Sequence, residues 1–265
     1  MVRKRFGQHF LHEKTIIDRI VSAVSPQSDD RLIEIGPGQG AITRPLLDQV
    51  ARLSVIEIDR DLIAELEARA ATDPRLEVIA GDALRLDYAA LAARRGGALR
   101  LVGNLPYNIS SPLLFALLGS DAPIHDMHFM LQKEVVDRMV AAPGSGDYGR
   151  LSVAIAARAQ AVSLFDVSPG AFSPPPKVMS AVVRLVPRPP AFEIVSQKVF
   201  DRLLATAFNQ RRKTLRKSLS SLMSADEIEH CGITPMQRPE QLSAAEFAAL
   251  ANHVAHRDTT ASTGS

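Results

Sequence analysis

The sequence predicts an α/β fold, a mostly parallel sheet covered by helices on both faces, followed by a small all-helical domain. Three observations carry this reading. Short apolar runs alternate with helical stretches from about Arg31 to Pro187, a glycine-rich turn follows the first run, and the strand pattern stops after Pro187, Pro189 and Pro190. Nearly continuous apolar runs belong to strands buried on both faces, as in parallel sheets flanked by helices.

The elements follow in order. RLIEI (31–35) is a strand that ends in the turn GPGQG, and 41–50 is the helix after it. ARLSVIEI (51–58) is the second strand, with a charged helix over 60–71. LEVIAGDA (76–83), LRLVGNLPY (99–107) and MHFMLQ (127–132) are the next three strands. The last two, 159–167 and 180–186, are separated mainly by the proline-rich loop SPPPK and no helix, so the sheet ends in an antiparallel hairpin. Beyond Pro190, helical periodicity covers 199–208, 214–223 and 244–255, while RDTTASTGS has nothing to bury and reads as a disordered tail. The expected division is 1–187, 188–256 and a tail over 257–265.

Composition narrows the class. With 265 residues, 46% hydrophobic and 23% charged, the chain can bury a core, and wholesale disorder is excluded. The single cysteine, Cys231, excludes an internal disulfide framework and a cysteine-rich zinc site, and suits a reducing, cytoplasmic setting. The basic start has no apolar stretch before Glu13 and Lys14, so it is not a secretory signal. The uncharged run Leu101–Ser120 holds Asn104, Pro106, Asn108, Pro112 and three serines, which lipid would leave unsatisfied. It reads as strand, turn and helix, and no membrane partner is expected. His125 and His128, and His253 and His256, lack the spacing that would put metal ligands on one face, so no metal is expected.

The net charge of +2 is a cancellation. Residues 1–19 hold five Lys/Arg against two acids, and residues 187–217 hold eight against two, while the remainder is acidic. Within the second stretch, Arg211, Arg212, Lys213, Arg216 and Lys217 follow helical spacing beside the apolar stripe Phe208, Leu215, Leu219 and Leu222. A basic face next to a core stripe is the pattern of phosphate contacts to a nucleic acid.

Two motifs carry the chemistry. Gly36-Pro-Gly-Gln-Gly40 stands between strand and helix, where glycines allow close approach of backbone to a ligand. Glu57 ends the next strand, placed to accept from ribose hydroxyls, and Asp82 follows the third, placed to meet an adenine edge. The glycine string alone does not separate a dinucleotide from S-adenosylmethionine. The second motif, Asn104-Leu105-Pro106-Tyr107, lies where the fourth strand ends. Its residue types suit methylation of an exocyclic amine, whose lone pair is delocalised into the base ring. The Asn104 amide oxygen and a backbone carbonyl held outward by Pro106 can accept both amine hydrogens, turning the lone pair toward an electrophile. Tyr107 can stack on the base and stabilise the positive charge that develops on nitrogen. Ser110 and Ser111 read as a helix N-cap rather than nucleophiles.

FGQHFL (6–11), EIGPGQG (34–40), NLPYNISSPLL (104–114), FSPPPKVMSAVVRL (172–185) and FNQRRKTLRKSL (208–219), in this order, resemble the KsgA/RsmA family of small-subunit ribosomal RNA adenine dimethyltransferases. The resemblance covers Arg3 to about Ala255. It implies a Rossmann-like S-adenosylmethionine-dependent methyltransferase sheet with an antiparallel final hairpin and a helical C-terminal domain. It further implies that His9, Leu11, Gly36, Gly38, Glu57, Asp82 and Asn104 contact the cofactor, and that Tyr107 and Phe172 sandwich the target adenine in front of Asn104, Leu105 and Pro106. The implied activity is dimethylation of the 6-amino groups of two adjacent adenosines in 16S RNA of the immature small subunit. No oligomer is implied. The rival readings are a resistance-type methylase of large-subunit RNA, a non-catalytic RNA-binding assembly or transcription factor on the same fold, and an NAD-dependent dehydrogenase.

Overall fold

The computed structural model describes residues 9–209 and 213–263, the last four of these as backbone only. The chain opens with β1 (Phe10–Leu11) and α1 (Lys14–Val24), then alternates β2 (Arg31–Ile35), α2 (Thr43–Leu47), β3 (Leu53–Glu57), α3 (Arg60–Ala70), β4 (Leu76–Ala80), α4 (Tyr88–Arg95), β5 (Leu99–Asn104), α5 (Ser110–Leu118) and β6 (Ile124–Gln132). Next come α6 (Lys133–Val140), α7 (Arg150–Ala156), β7 (Ala159–Val167), β8 (Phe172–Ser173) and β9 (Ser180–Pro187). The rest is helical: α8 (Gln197–Phe208), α9 (Leu215–Ser218), α10 (Ala225–His230) and α11 (Ala244–Thr263).

Seven strands form one sheet in the order β4-β3-β2-β5-β6-β9-β7. The pairs from β4 through β6 are parallel, and β9 runs antiparallel to β6, closing the sheet with the antiparallel hairpin. All five residues of β3 are buried, as a strand covered on both faces requires. Polar caps start the flanking helices, with Asp59 accepting from the Asp61 amide at α3 and Asp87 from the Ala90 amide at α4. A second, two-stranded sheet pairs β1 with β8, setting Phe10 against Ser173 and Leu11 against Phe172.

The structure divides the chain differently from the single boundary expected at 187/188. Among the described residues, one compact unit holds 9–136 and 161–187, the other 137–160, 188–209 and 213–263. The segment 137–160 joins the helical unit because Tyr148, Val153, Ala154 and Ala157 bury their side chains with Phe200, Leu203, Leu204 and Phe247. The helix expected over 214–223 is a single turn, since Ser224 restarts the chain as the cap of α10. Its hydroxyl accepts from the Glu227 amide while the Glu227 carboxylate accepts from the Ser224 amide. The expected tail is helical through Thr263; Arg257 bonds Glu227 at 2.9 Å and Asp258 bonds Arg202 at 3.0 Å, holding the extra turns on the domain.

One contact positions the site. Gly103 in β5 runs against the backbone carbonyl of Ile35, the last residue of β2, so closely that a Cβ there would overlap the carbonyl oxygen. Because β2 leads into the glycine turn and β5 ends at Asn104, this approach brings the two motifs side by side. Gly103→Ala is expected to lower unfolding stability by about 1–3 kcal/mol in urea titration, the ordinary cost of overpacking a core; wild-type stability would show that the strands have room to spare.

Candidate active site

A cavity of about 260 Å³ opens at the carboxyl ends of β2, β3, β4 and β5, the edge where such sheets bind ligands. The turn after β2 forms one wall. Gly36 and Gly38 adopt φ of +67° and +56°, conformations that side chains rarely tolerate, and the Gly36 amide donates to the Ile56 carbonyl at 2.9 Å. A Cβ at Gly38 would lie 3.1 Å from the Phe10 ring, so the β1 arm packs directly on the glycine turn.

Glu57 closes β3 and is 5% exposed. One carboxylate oxygen accepts from the amides of Ile58 and Asp59 at 2.8 and 3.0 Å, and the other faces the Gly38 amide at 3.4 Å. Backbone donors thus fix the carboxylate in place, leaving further lone pairs for a ligand. Asp82, after β4, accepts from the Leu84 amide at 2.9 Å, with Arg85 3.7 Å from its other oxygen. His9, Leu11, Gly36, Gly38, Glu57, Asp82 and Asn104 all line the cavity.

Asn104 has a fixed orientation. Its Nδ2 donates to the His9 carbonyl at 3.0 Å, and since a carbonyl only accepts, the amide oxygen Oδ1 is the end left to accept from a ligand. Leu105 is buried, its amide donating to the Met130 carbonyl at 3.2 Å. The Pro106 carbonyl is occupied by the Ile109 amide and the Ser110 hydroxyl, both at 3.1 Å. Ser110 therefore bonds back to the turn instead of capping α5. Tyr107 lines the cavity, its hydroxyl 3.0 Å from Ser180 Oγ and its ring centroid 6.0 Å from that of His9.

Phe172 does not join Tyr107 in the lining. It is 3% exposed, in the β8 strand paired to Leu11, and packs in the core with Leu11, Met130, Val167 and Val182. The strand pairing turns its ring inward, which spacing alone does not show. In the helical unit, Lys213, Arg216 and Lys217 are exposed beside buried Leu215 and Leu219. Arg211 and Arg212 lie outside the described residues. From Lys213 on, the described part of the expected helical face is one turn, α9, with Lys213 ahead of its cap Thr214.

Sequence reasoning missed Glu34. This carboxyl lines the cavity, is 1% exposed and accepts from the Thr43 hydroxyl at 2.7 Å. Burial pushes its pKa up to about 7, the Thr43 bond opposing and the Glu57 charge adding. An acid inside an apolar strand, one residue before the glycine turn, was the available signal. His128 is buried as well, and desolvation pushes its pKa down to about 4. Among the described residues no group of His, Cys, Asp and Glu is arranged to hold a metal, and no helix is long and apolar enough to cross a membrane.

Glu34 makes stability pH-dependent. The unfolded chain releases this proton near pH 4.5 and the folded chain near 7, so stability falls as pH rises through that window and is level above it. The fall from this group is up to about 3 kcal/mol. Glu34→Gln is expected to remove the slope in denaturant titrations at pH 5 to 8; parallel curves for variant and wild type would contradict the assignment.

The family model described as "Ribosomal RNA adenine dimethylase" matches residues 1–256. The "Ribosomal RNA small subunit methyltransferase A" of Xylella fastidiosa (strain Temecula1) is 55% identical over 251 residues, 94% of this chain and 95% of its own. The protein of the same name from Pseudomonas aeruginosa is 52% identical over 254 residues, 96% and 94% of the two chains. Among solved structures, a dimethyladenosine transferase from Plasmodium falciparum matches with a TM-score of 0.78 at 28% identity, over 91% of this chain and 96% of that one. A 23S rRNA methyltransferase, ErmE, shares the fold with a TM-score of 0.70 at 24% identity, over 93% and 99%. With its sheet order, its glycine turn and its Asn104 motif in place, the chain belongs to the ribosomal RNA adenine dimethylase family.

Proposed function

We propose that this protein dimethylates the 6-amino groups of two adjacent adenosines in 16S RNA of the immature small subunit, with S-adenosylmethionine as donor, in the cytoplasm. The observation that carries the reading is the Asn104 amide, held by His9 so that its oxygen is the free acceptor, beside the glycine turn.

The cavity suits this donor. Glu57 presents a carboxylate held by backbone amides for the ribose hydroxyls, Asp82 stands ready for the adenine edge, and the turn at Gly36 and Gly38 lets backbone approach the ligand. Glu34 is a buried carboxyl with no compensating cation among the groups that perturb it, which favours a positively charged ligand. When bound, S-adenosylmethionine supplies an electrophilic methyl group on a sulfonium.

The chain's residues prepare the nucleophile. Asn104 Oδ1 accepts one hydrogen of the target amine. The Leu105 carbonyl accepts the other, because that of Pro106 is already taken within the turn. Both bonds draw the nitrogen toward a tetrahedral shape and strengthen as it becomes positive, which lowers the barrier more than they stabilise the ground state. Tyr107 stacks the base, and Phe172, buried in the core, seats the strand that leads into the proline loop. The alkylated ammonium is acidic enough to lose its proton to water, so no dedicated base is required.

The small-subunit reading draws on relatives at 51–55% identity that carry that name over almost their full length, whereas the large-subunit enzyme is 24% identical. A non-catalytic assembly or transcription factor would have no use for an oriented Asn104 beside a carboxylate fixed by three amides. Arg211, Arg212, Lys213, Arg216 and Lys217 hold RNA phosphates and position the substrate without reading its sequence.

Asn104→Ala is expected to reduce labelled methyl transfer into unmodified small subunits by about 100-fold or more, the usual consequence of losing an oriented transition-state partner. Full transfer by that variant, or none by wild type, would overturn the mechanism. Replacing Arg216 and Lys217 with Ala is expected to weaken RNA binding and to flatten the slope of log K against log salt by about 1–2; an unchanged slope would remove them from the interface.

A further inference from the structure

We propose that His9 is a positioning residue that sets the Asn104 amide through its own backbone carbonyl, and that its imidazole is anchored for this purpose to the proline loop. The proposal rests on the methyltransfer reading, since it assigns His9 a part in that reaction beyond contact with a donor.

Two bonds and a ring contact converge on this residue. The His9 carbonyl accepts from Asn104 Nδ2 at 3.0 Å, and His9 Nδ1 lies 2.7 Å from the Pro174 carbonyl. Because the Pro174 oxygen only accepts, Nδ1 carries the proton and the tautomer is fixed. The imidazole centroid stands 6.0 Å from the Tyr107 ring, tilted by 31°. The adjoining residues extend the same strap. Phe10 packs against the glycine turn, and Phe10 and Leu11 pair with Ser173 and Phe172. His9 thus ties the acceptor of the target amine to the loop that follows Phe172.

An amide is nearly symmetric in shape, and without a partner its two ends exchange at little cost. A flipped Asn104 would present NH₂ to the NH₂ of the substrate, donor against donor. The His9 carbonyl prevents this by engaging the only end that can donate. Holding that carbonyl in place requires the arm to stay seated, and the Nδ1–Pro174 bond is the side-chain contact that does so next to the reacting centre. Asparagine superposes its Nδ2 on the Nδ1 position of histidine and can donate to the same carbonyl, whereas glutamine places its amide one bond further out.

The test compares His9→Ala, His9→Asn and His9→Gln in methyl transfer, S-adenosylmethionine titration and ¹⁵N NMR of the Asn104 side chain, assigned by its loss in Asn104→Ala. His9→Ala is expected to lower kcat about 10-fold or more while the donor dissociation constant stays within about threefold, the split expected of a lost positioning contact. His9→Asn is expected to recover most of kcat, and His9→Gln little. The Asn104 side-chain resonances are expected to shift in His9→Ala and to return in His9→Asn. Unchanged kcat in His9→Ala, a loss of donor affinity matching the loss of kcat, or no recovery in His9→Asn would overturn the proposal. If wild type methylates no ribosomal RNA, the reading of the activity fails, and unchanged Asn104 resonances in His9→Ala would still refute the positioning role.

Discussion

Everything chemical in this protein depends on how closely β5 passes β2. With only a hydrogen on Gly103 facing the Ile35 carbonyl, the strand that ends in Asn104 lies against the strand that leads into Gly36. The glycine turn and the Asn104 motif are then neighbours by sheet register, before any side chain is placed. The β1 arm adds the third side, with Phe10 on the glycine turn and the His9 carbonyl on Asn104. Strands fix two walls and a strap fixes the amide, the preorganisation that a methyl transfer needs when the nucleophile is weak.

Electrostatics divide the molecule by task. The cavity is acidic, with Glu57 held by amides and Glu34 buried beside it, and this suits a cationic donor. The exposed cations Lys213, Arg216 and Lys217 belong to the helical unit, where buried Leu215 and Leu219 seat them on a packed core. A net charge of +2 conceals this division, with carboxyl groups gathered at the cavity and exposed cations on the helical unit.

The sheet was legible because burial on both faces writes itself into apolar runs such as RLIEI and LSVIE, and the glycine turn is visible because its positive φ values call for that residue. Asn104, Glu57 and Asp82 were legible because they follow those runs at the strand ends. What escaped depends on partners distant in sequence. Phe172 faces the core because β8 pairs with β1, more than 160 residues earlier, and no local pattern reports that pairing. Residues 137–160 join the helical unit through Tyr148 and Val153, whose apolar spacing is equally compatible with packing on the sheet. Glu34 was hidden in a strand that otherwise reads as pure core. The strand over 99–107 ended early because the proline turn has local bonds of its own, from Ile109 and Ser110 to the Pro106 carbonyl.

The claim at the centre of this account is that one cavity, built around an oriented Asn104, modifies adenine amines of small-subunit RNA. Mass mapping of adenosines on immature small subunits treated with the protein and S-adenosylmethionine addresses it directly. The account predicts two adjacent adenosines, each carrying two methyl groups on its 6-amino nitrogen, with other positions unchanged. Modification of large-subunit RNA instead, methylation at another atom of the base, or no modification of particles that bind the protein would contradict it.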